Sequence, residues 1–197
     1  SCNTAADLEL KSRFEQLGIN AAYFDIQTVD DYLRMLKICT ELTGHPENYT
    51  EYGENVAALV ESSIARNDGS HPSVLCIRAT GSSCRIKGST DNVLGEMLSD
   101  LGCENIADGN NSLLENLSIE AIIEADPDYI FAVLQGSDSS DAETVLEQTL
   151  LSNPAWGTLT AVKENRFYVL ENSLYNLKPN SRWGIAYEKL ADILFAK

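Results

Sequence analysis

Positive charge is scarce in this sequence: 14 Lys and Arg stand against 30 Asp and Glu, a formal net charge of −16. A protein that grips nucleic-acid backbones needs a basic field over at least one face, so that class is excluded. Histidine is scarcer still, and neither His45 nor His71 is spaced from other ligands as a metal site requires. The five cysteines, Cys2, Cys39, Cys76, Cys84 and Cys103, are odd in number and contain no C-x-x-C pair. Neither a zinc site nor a disulfide framework is signalled. No window approaches the roughly 20 uninterrupted apolar residues that a helical membrane span needs, and Ser1 to Leu10 is not a basic stretch followed by an apolar run. G-x-S-x-G, H-E-x-x-H, G-x-G-x-x-G and the P-loop are all missing, so no catalytic residue, metal ligand or cofactor is assigned. Cys2 after Ser1 has one further reading, as the lipid-bearing first residue of a mature lipoprotein, set against a reading of Asn3 to Gly18 as a helix inside a domain.

What is present is a chain of 197 residues, 44% apolar, able to bury one good core and part of a second. Leu8, Leu10, Phe14 and Leu17 come close to helical spacing and stop at Gly18. Ala21 to Ile26 reads as a short strand with no neighbouring strand, which predicts either an exposed, mobile segment or, the favoured reading, pairing with another copy through this segment. Thr28 is placed to cap a helix with Asp30 and Asp31 in its first turn, running to Gly44. Pro46 opens another helix, and Val56, Leu59, Val60 and Ile64 form its apolar stripe. Helical from Glu47 to Arg66, it would be about 30 Å long and would bridge two lobes. From His71 strands and helices alternate: strands at Ser73 to Arg78, Tyr129 to Leu134 and Phe167 to Leu170, and helices at Asp91 to Leu101, Ser118 to Ala125, Ala142 to Leu151 and Arg182 to Phe195. The fold class expected is α/β, a doubly wound, mainly parallel, Rossmann-like three-layer lobe joined by a long bridging helix to an incomplete second α/β lobe. The divisions are 1–45 for the partial lobe, 46–68 for the bridge and 69–197 for the complete lobe.

Ligands of an open α/β sheet sit beyond the carboxyl ends of its strands. No Lys or Arg occurs between Gly88 and Val162, whereas Arg78, Arg85 and Lys87 crowd the loop after the first strand of this lobe and Lys178 and Arg182 the loop before the last helix. On so acidic a chain this is either a local anion-attracting patch, fit for a carboxylate or oxyanion, or a set of cations paired with the acidic surface. Tyr175 and Trp183 are placed either to stack on a planar ligand or to pack in the core. Gly81, Ser82 and Ser83 offer backbone amides and hydroxyls, a weak phosphate signal. Glu120, in the first turn of its helix, either favours the dipole or presents a carboxylate to a partner's arginine.

Several stretches together resemble a known family. Leu117-Ser118-Ile119-Glu120-Ala121-Ile122 running into Ala125-Asp126-Pro127-Asp128-Tyr129-Ile130, Asn153-Pro154-Ala155-Trp156, Ala161 to Tyr168, Leu101 to Ala107 and Leu177 to Gly184 are similar, in this order, to ABC-importer substrate-binding proteins for iron siderophores, haem and cobalamin. The resemblance covers essentially the whole chain, is strongest from Pro72 onward, and implies a protein whose amino-terminal strands and helices precede Ser1. It implies capture of an iron chelate, haem or cobalamin between two lobes without chemistry, and delivery to a membrane permease outside the cytoplasm. The ligand-binding residues expected are Arg78, Ser82, Ser83, Arg85, Lys87, Tyr175, Lys178, Arg182 and Trp183. The resemblance assigns Glu120 to permease docking. Rival readings are a metal-chelating or nitrogenase-like α/β enzyme and a stand-alone interaction domain.

Overall fold

The computed structural model of the chain describes residues 5–90, 92–136 and 139–195, so Cys2 and the lipoprotein reading attached to it lie outside the described residues. The chain divides into two compact units, 1–57 and 58–197.

In the first unit, α1 (Ala5–Gln16) ends in a turn with Gly18 at φ 68°. The apolar spacing does not turn Leu8 and Leu10 of α1, or Leu17 just beyond it, inward, for all three are exposed. Ala21 to Ile26 is not a strand: only Phe24 makes a single ladder bridge, so no strand for pairing between copies forms there. Helix α2 (Val29–Thr43) is the one the capping residues foretell. Thr28 Oγ1 accepts the Asp31 N–H and the Asp31 carboxylate accepts the Thr28 N–H, a reciprocal capping box, and Gly44 closes the helix at φ 74°. Burial pushes the Asp31 carboxyl upward, but the Gln27 and Thr28 donors outweigh it and hold the pKa below its usual value. Helix α3 (Glu47–Tyr49) passes through one π-type stretch, Thr50–Glu54, into α4 (Asn55–Ile64). The helical path is unbroken for about 27 Å, and the division between the units falls inside it. Tyr32 Oη donates to the Tyr52 carbonyl at 2.7 Å, tying α2 to this helix. Gly53 permits the close approach: a Cβ there would meet the Tyr49 ring at 2.9 Å and Leu36 at 3.3 Å.

The second unit is built on a mixed sheet. Strand β1 (Ser73–Ala79) has β2 (Cys84–Lys87) antiparallel to its later half and the two-residue β3 (Glu104–Asn105) parallel to its start on one side, with β4 (Tyr129–Leu134) parallel on the other. Strand β5 (Phe167–Leu170) lies parallel beyond β4. Between the strands come α5 (Val93–Asp100), α6 (Asn111–Asn116), α7 (Ile119–Ala125), α8 (Ser140–Leu146) and α9 (Thr160–Lys163), and after β5 α10 (Asn172–Tyr175) and α11 (Trp183–Phe195) follow. Residues alternate across a strand, so Leu75, Ile77, Ile130 and Ala132 pack on one face with Leu113, Ile122, Leu146, Trp156 and Ala161. The opposite face carries Cys76, Arg78 and Val133, together with Val93 and Leu94 of α5. Tyr187 of α11 donates to the Asp100 carboxylate on α5 at 2.5 Å. Helices on both faces of a mainly parallel sheet form the α/β arrangement expected.

The hairpin β1–β2 is the main departure. Arg85 and Lys87 belong to a strand, not to a loop, because Thr80 folds the chain back at once: its N–H donates to the Ser83 carbonyl at 2.8 Å.

Candidate functional site

The carboxyl edge of the sheet opens into a cavity of about 150 Å³. Arg78 near the end of β1, Lys87 at the end of β2, Asn92 to Leu94 at the start of α5, and Tyr175, Asn176 and Lys178 after β5 line it. Its charge follows from strand register. Arg78 and Arg85 are direct partners across β1 and β2, so their side chains leave the sheet on one face, as do those of Cys76 and Lys87. Like charges placed opposite one another are unfavourable unless something answers them. Arg78 donates to Asn176 Oδ1 at 3.3 Å, and among the described residues no carboxylate lies within ion-pair distance of Arg78 or Arg85. Burial, and after it the charge of Arg85, lowers the Arg78 pKa. An anion in the cavity would relieve both strains.

Helix α5 adds to this bias. Asn92 Oδ1 accepts the Gly95 N–H at 2.8 Å, and Val93 and Leu94 in the first turn of α5 line the cavity, which sets it beside the positive end of the helix dipole. Tyr175 supplies its ring. Its hydroxyl donates to the Ala186 carbonyl at 3.0 Å, and burial, followed by the nearby Glu171 charge, pushes its pKa up. The phenol is therefore a fixed wall and not a ready metal ligand. Among the described residues no group of three or more His, Cys, Asp or Glu is arranged to hold a metal ion.

Of the residues expected from the sequence, Arg78, Lys87, Tyr175 and Lys178 line this cavity and the others do not. Ser82 and Ser83 spend their backbone N–H groups on Thr80 Oγ1, at 3.3 and 3.0 Å, which leaves no amide cradle for a phosphate. Arg85 is exposed beside a separate hollow formed with Cys84, Leu114 and Leu117. Arg182 is exposed and donates to the Ser173 carbonyl at 3.3 Å. Trp183 is 0% exposed, with its ring 6.5 Å from that of Tyr187, so it is a core residue with no free face for stacking. Asn92 and Asn176 escaped the sequence reading. An asparagine just before the apolar run Val93-Leu94 is a cap signal, whereas nothing in sequence ties Asn176 to Arg78.

Glu120 lies in the first turn of α7 and is exposed, with the Ser118 hydroxyl as its hydrogen-bond partner at 3.1 Å.

A profile of the family described as periplasmic binding protein matches residues 7–174. The high-affinity heme uptake system protein IsdE of Staphylococcus aureus is 22% identical over 202 residues, covering 99% of this chain and 66% of its own length. The chain therefore spans just under two thirds of the curated relatives it matches. A crystal structure of S. aureus IsdE complexed with heme superposes with TM-score 0.78 at 18% identity over 100% of this chain and 76% of that one. An ABC transporter substrate-binding protein from Listeria monocytogenes gives 0.77 at 20% identity, over 100% and 76%. The periplasmic heme-binding protein RhuT from Roseiflexus gives 0.77 at 18%, over 98% and 73%.

Proposed function

The chain belongs to the periplasmic binding protein family, and from that premise we propose that it acts in the substrate-binding component of an ABC importer, outside the cytoplasm, capturing an anionic iron complex. Haem, whose two carboxylates suit a cationic pocket, is the first ligand to test; relatives named for heme uptake and heme binding support the choice. The observation that carries the reading is the cluster of Arg78, Lys87 and Lys178 at the carboxyl edge of the sheet in a protein of net charge −16. At about 150 Å³ the cavity is smaller than the roughly 300–1,000 Å³ of a site that encloses a drug-sized ligand. It suits one carboxylate-bearing arm, with the remainder of the ligand outside it.

Each residue then has a plain role. Arg78 and Lys178 meet the carboxylate, Lys87 adds charge, Asn176 holds the guanidinium in place, and the Tyr175 ring forms a wall. No bond is made or broken. Glu120 engages a cationic side chain of the permease, which its exposure and the absence, among the described residues, of any ion pair to it support.

Absorbance titration with haemin and with haemin dimethyl ester tests the reading. Haemin should bind saturably and the ester about tenfold more weakly or worse, since charge-assisted hydrogen bonds are lost. Equal affinity for the two would remove the carboxylate from the account.

A further inference from the structure

Among the described residues strand β5 is an edge of the sheet, pairing in parallel with β4 and with no other strand. Backbone groups alternate in direction along a strand. The Arg166 carbonyl accepts the Ile130 N–H at 3.0 Å, so Tyr168 and Leu170 continue the set facing β4. The N–H and C=O of Phe167 and Val169 therefore turn outward. Protected edges are blunted by lysine, proline, a bulge or a covering element. This edge is the run Phe167-Tyr168-Val169-Leu170, without lysine or proline, and Val169 is 55% exposed.

Two mainly apolar hollows flank it. One, of about 440 Å³, is formed by Leu134, Leu146, Leu151 and Val169, and the other, of about 310 Å³, by Leu170, Tyr175 and Ile193. An extended chain laid along β5 would satisfy the outward backbone groups and drop alternate side chains toward these hollows. Charge selects the occupant. Glu143 and Glu147 line the first hollow with no cation beside them in its wall, whereas in the second Glu171 is paired with Lys189 and Asp192 with Arg66, so the acidic bias comes from the first.

We propose that the β5 edge receives an extended segment of a partner protein in which apolar residues alternate and Lys or Arg flank them. A second copy of this chain has the wrong sign, because edge-to-edge pairing would bring the same carboxylates together on two bodies of net charge −16.

Fluorescence polarisation with the labelled peptide KVTVTVK, its acidic counterpart EVTVTVE and the pairing-incompetent KVPVPVK decides the matter. KVTVTVK should bind saturably and about tenfold more tightly than either control. Val169→Pro removes an outward N–H without touching the β4 ladder, so it should weaken KVTVTVK about tenfold while leaving the thermal melt in place. Should that variant fail to fold, Val169→Lys, which puts a like charge in the path of the probe, is expected to give the same loss. The double change Glu143→Lys, Glu147→Lys should reverse the preference between the basic and acidic peptides. Unchanged KVTVTVK affinity in the folded Val169 variant, indifference to peptide charge, or sedimentation showing self-association that Val169→Pro abolishes would overturn the proposal.

Discussion

Arg78 has Asn176 as its hydrogen-bond partner and Arg85 as a like-charged neighbour. Arg78→Ala should therefore act in two directions at once. Haemin affinity is expected to fall about tenfold, through loss of a charge-assisted contact, while thermal stability holds or rises slightly as a cross-strand repulsion disappears. A lowered melting temperature with intact binding would make the guanidinium structural. Glu120→Ala removes an exposed carboxylate, so stability should change by less than about 0.5 kcal/mol. Uptake through the permease, measured in vesicles, should drop while haemin affinity stays the same; the opposite pattern would place Glu120 at the ligand. At this scale the sequence was most readable where the physics is local. Thr28 and Gly44 are helix ends recognised from their immediate neighbours, and each caps as read. Trp183 was not readable, because whether an indole beside a loop faces solvent or core depends on helices far away in sequence.

Elements were legible when their apolar patterns were long. The strands at Ser73 and Tyr129 and the final helix appear within a residue or two of where their patterns place them. Strand β2 was hidden, since Cys84-Arg85-Ile86-Lys87 buries Ile86 alone and alternates with charge over four residues. Missing it put Arg85 and Lys87 in a loop and concealed the pairing of Arg78 with Arg85. Helix α5 depends on a close approach: a Cβ at Gly95 would lie 2.2 Å from the Gly88 carbonyl oxygen. Gly95→Ala should cost about 1–3 kcal/mol, lower the melting temperature by several degrees and weaken haemin binding, because α5 opens on the cavity. An unchanged melt would show that the loop yields freely. The link from Asp126 to α9 predicts a pH effect. The Thr160 hydroxyl and N–H donate to the Asp126 carboxylate, at 2.6 and 2.8 Å, and hold its pKa below the usual value against a smaller opposing push from burial. A depressed carboxyl contributes stability above its unfolded pKa of about 3.9 and loses it as pH falls through the folded value. Wild type should accordingly exceed Asp126→Ala in stability at neutral pH and converge with it in acid. A constant difference down to the lowest pH would contradict this.

The whole molecule opposes its proposed ligand at long range and attracts it at short range. Net charge −16 repels an anion over distances comparable with the screening length, while the cavity concentrates Arg78, Lys87 and Lys178 at one edge of the sheet. The order of motifs made the family legible across the chain, because order survives where identity falls to 22%. The cavity itself was not, since it is assembled from β1, β2, α5 and the segment after β5. The most direct test is haemin affinity at low and high ionic strength for wild type and for the Arg78→Ala, Lys178→Ala double variant. Wild-type binding should be about tenfold tighter or more at equal salt and should weaken as salt is added. The double variant, left with the net repulsion, should lose that dependence or reverse it. Equal affinities and the same salt slope in both proteins would contradict the anionic-ligand account.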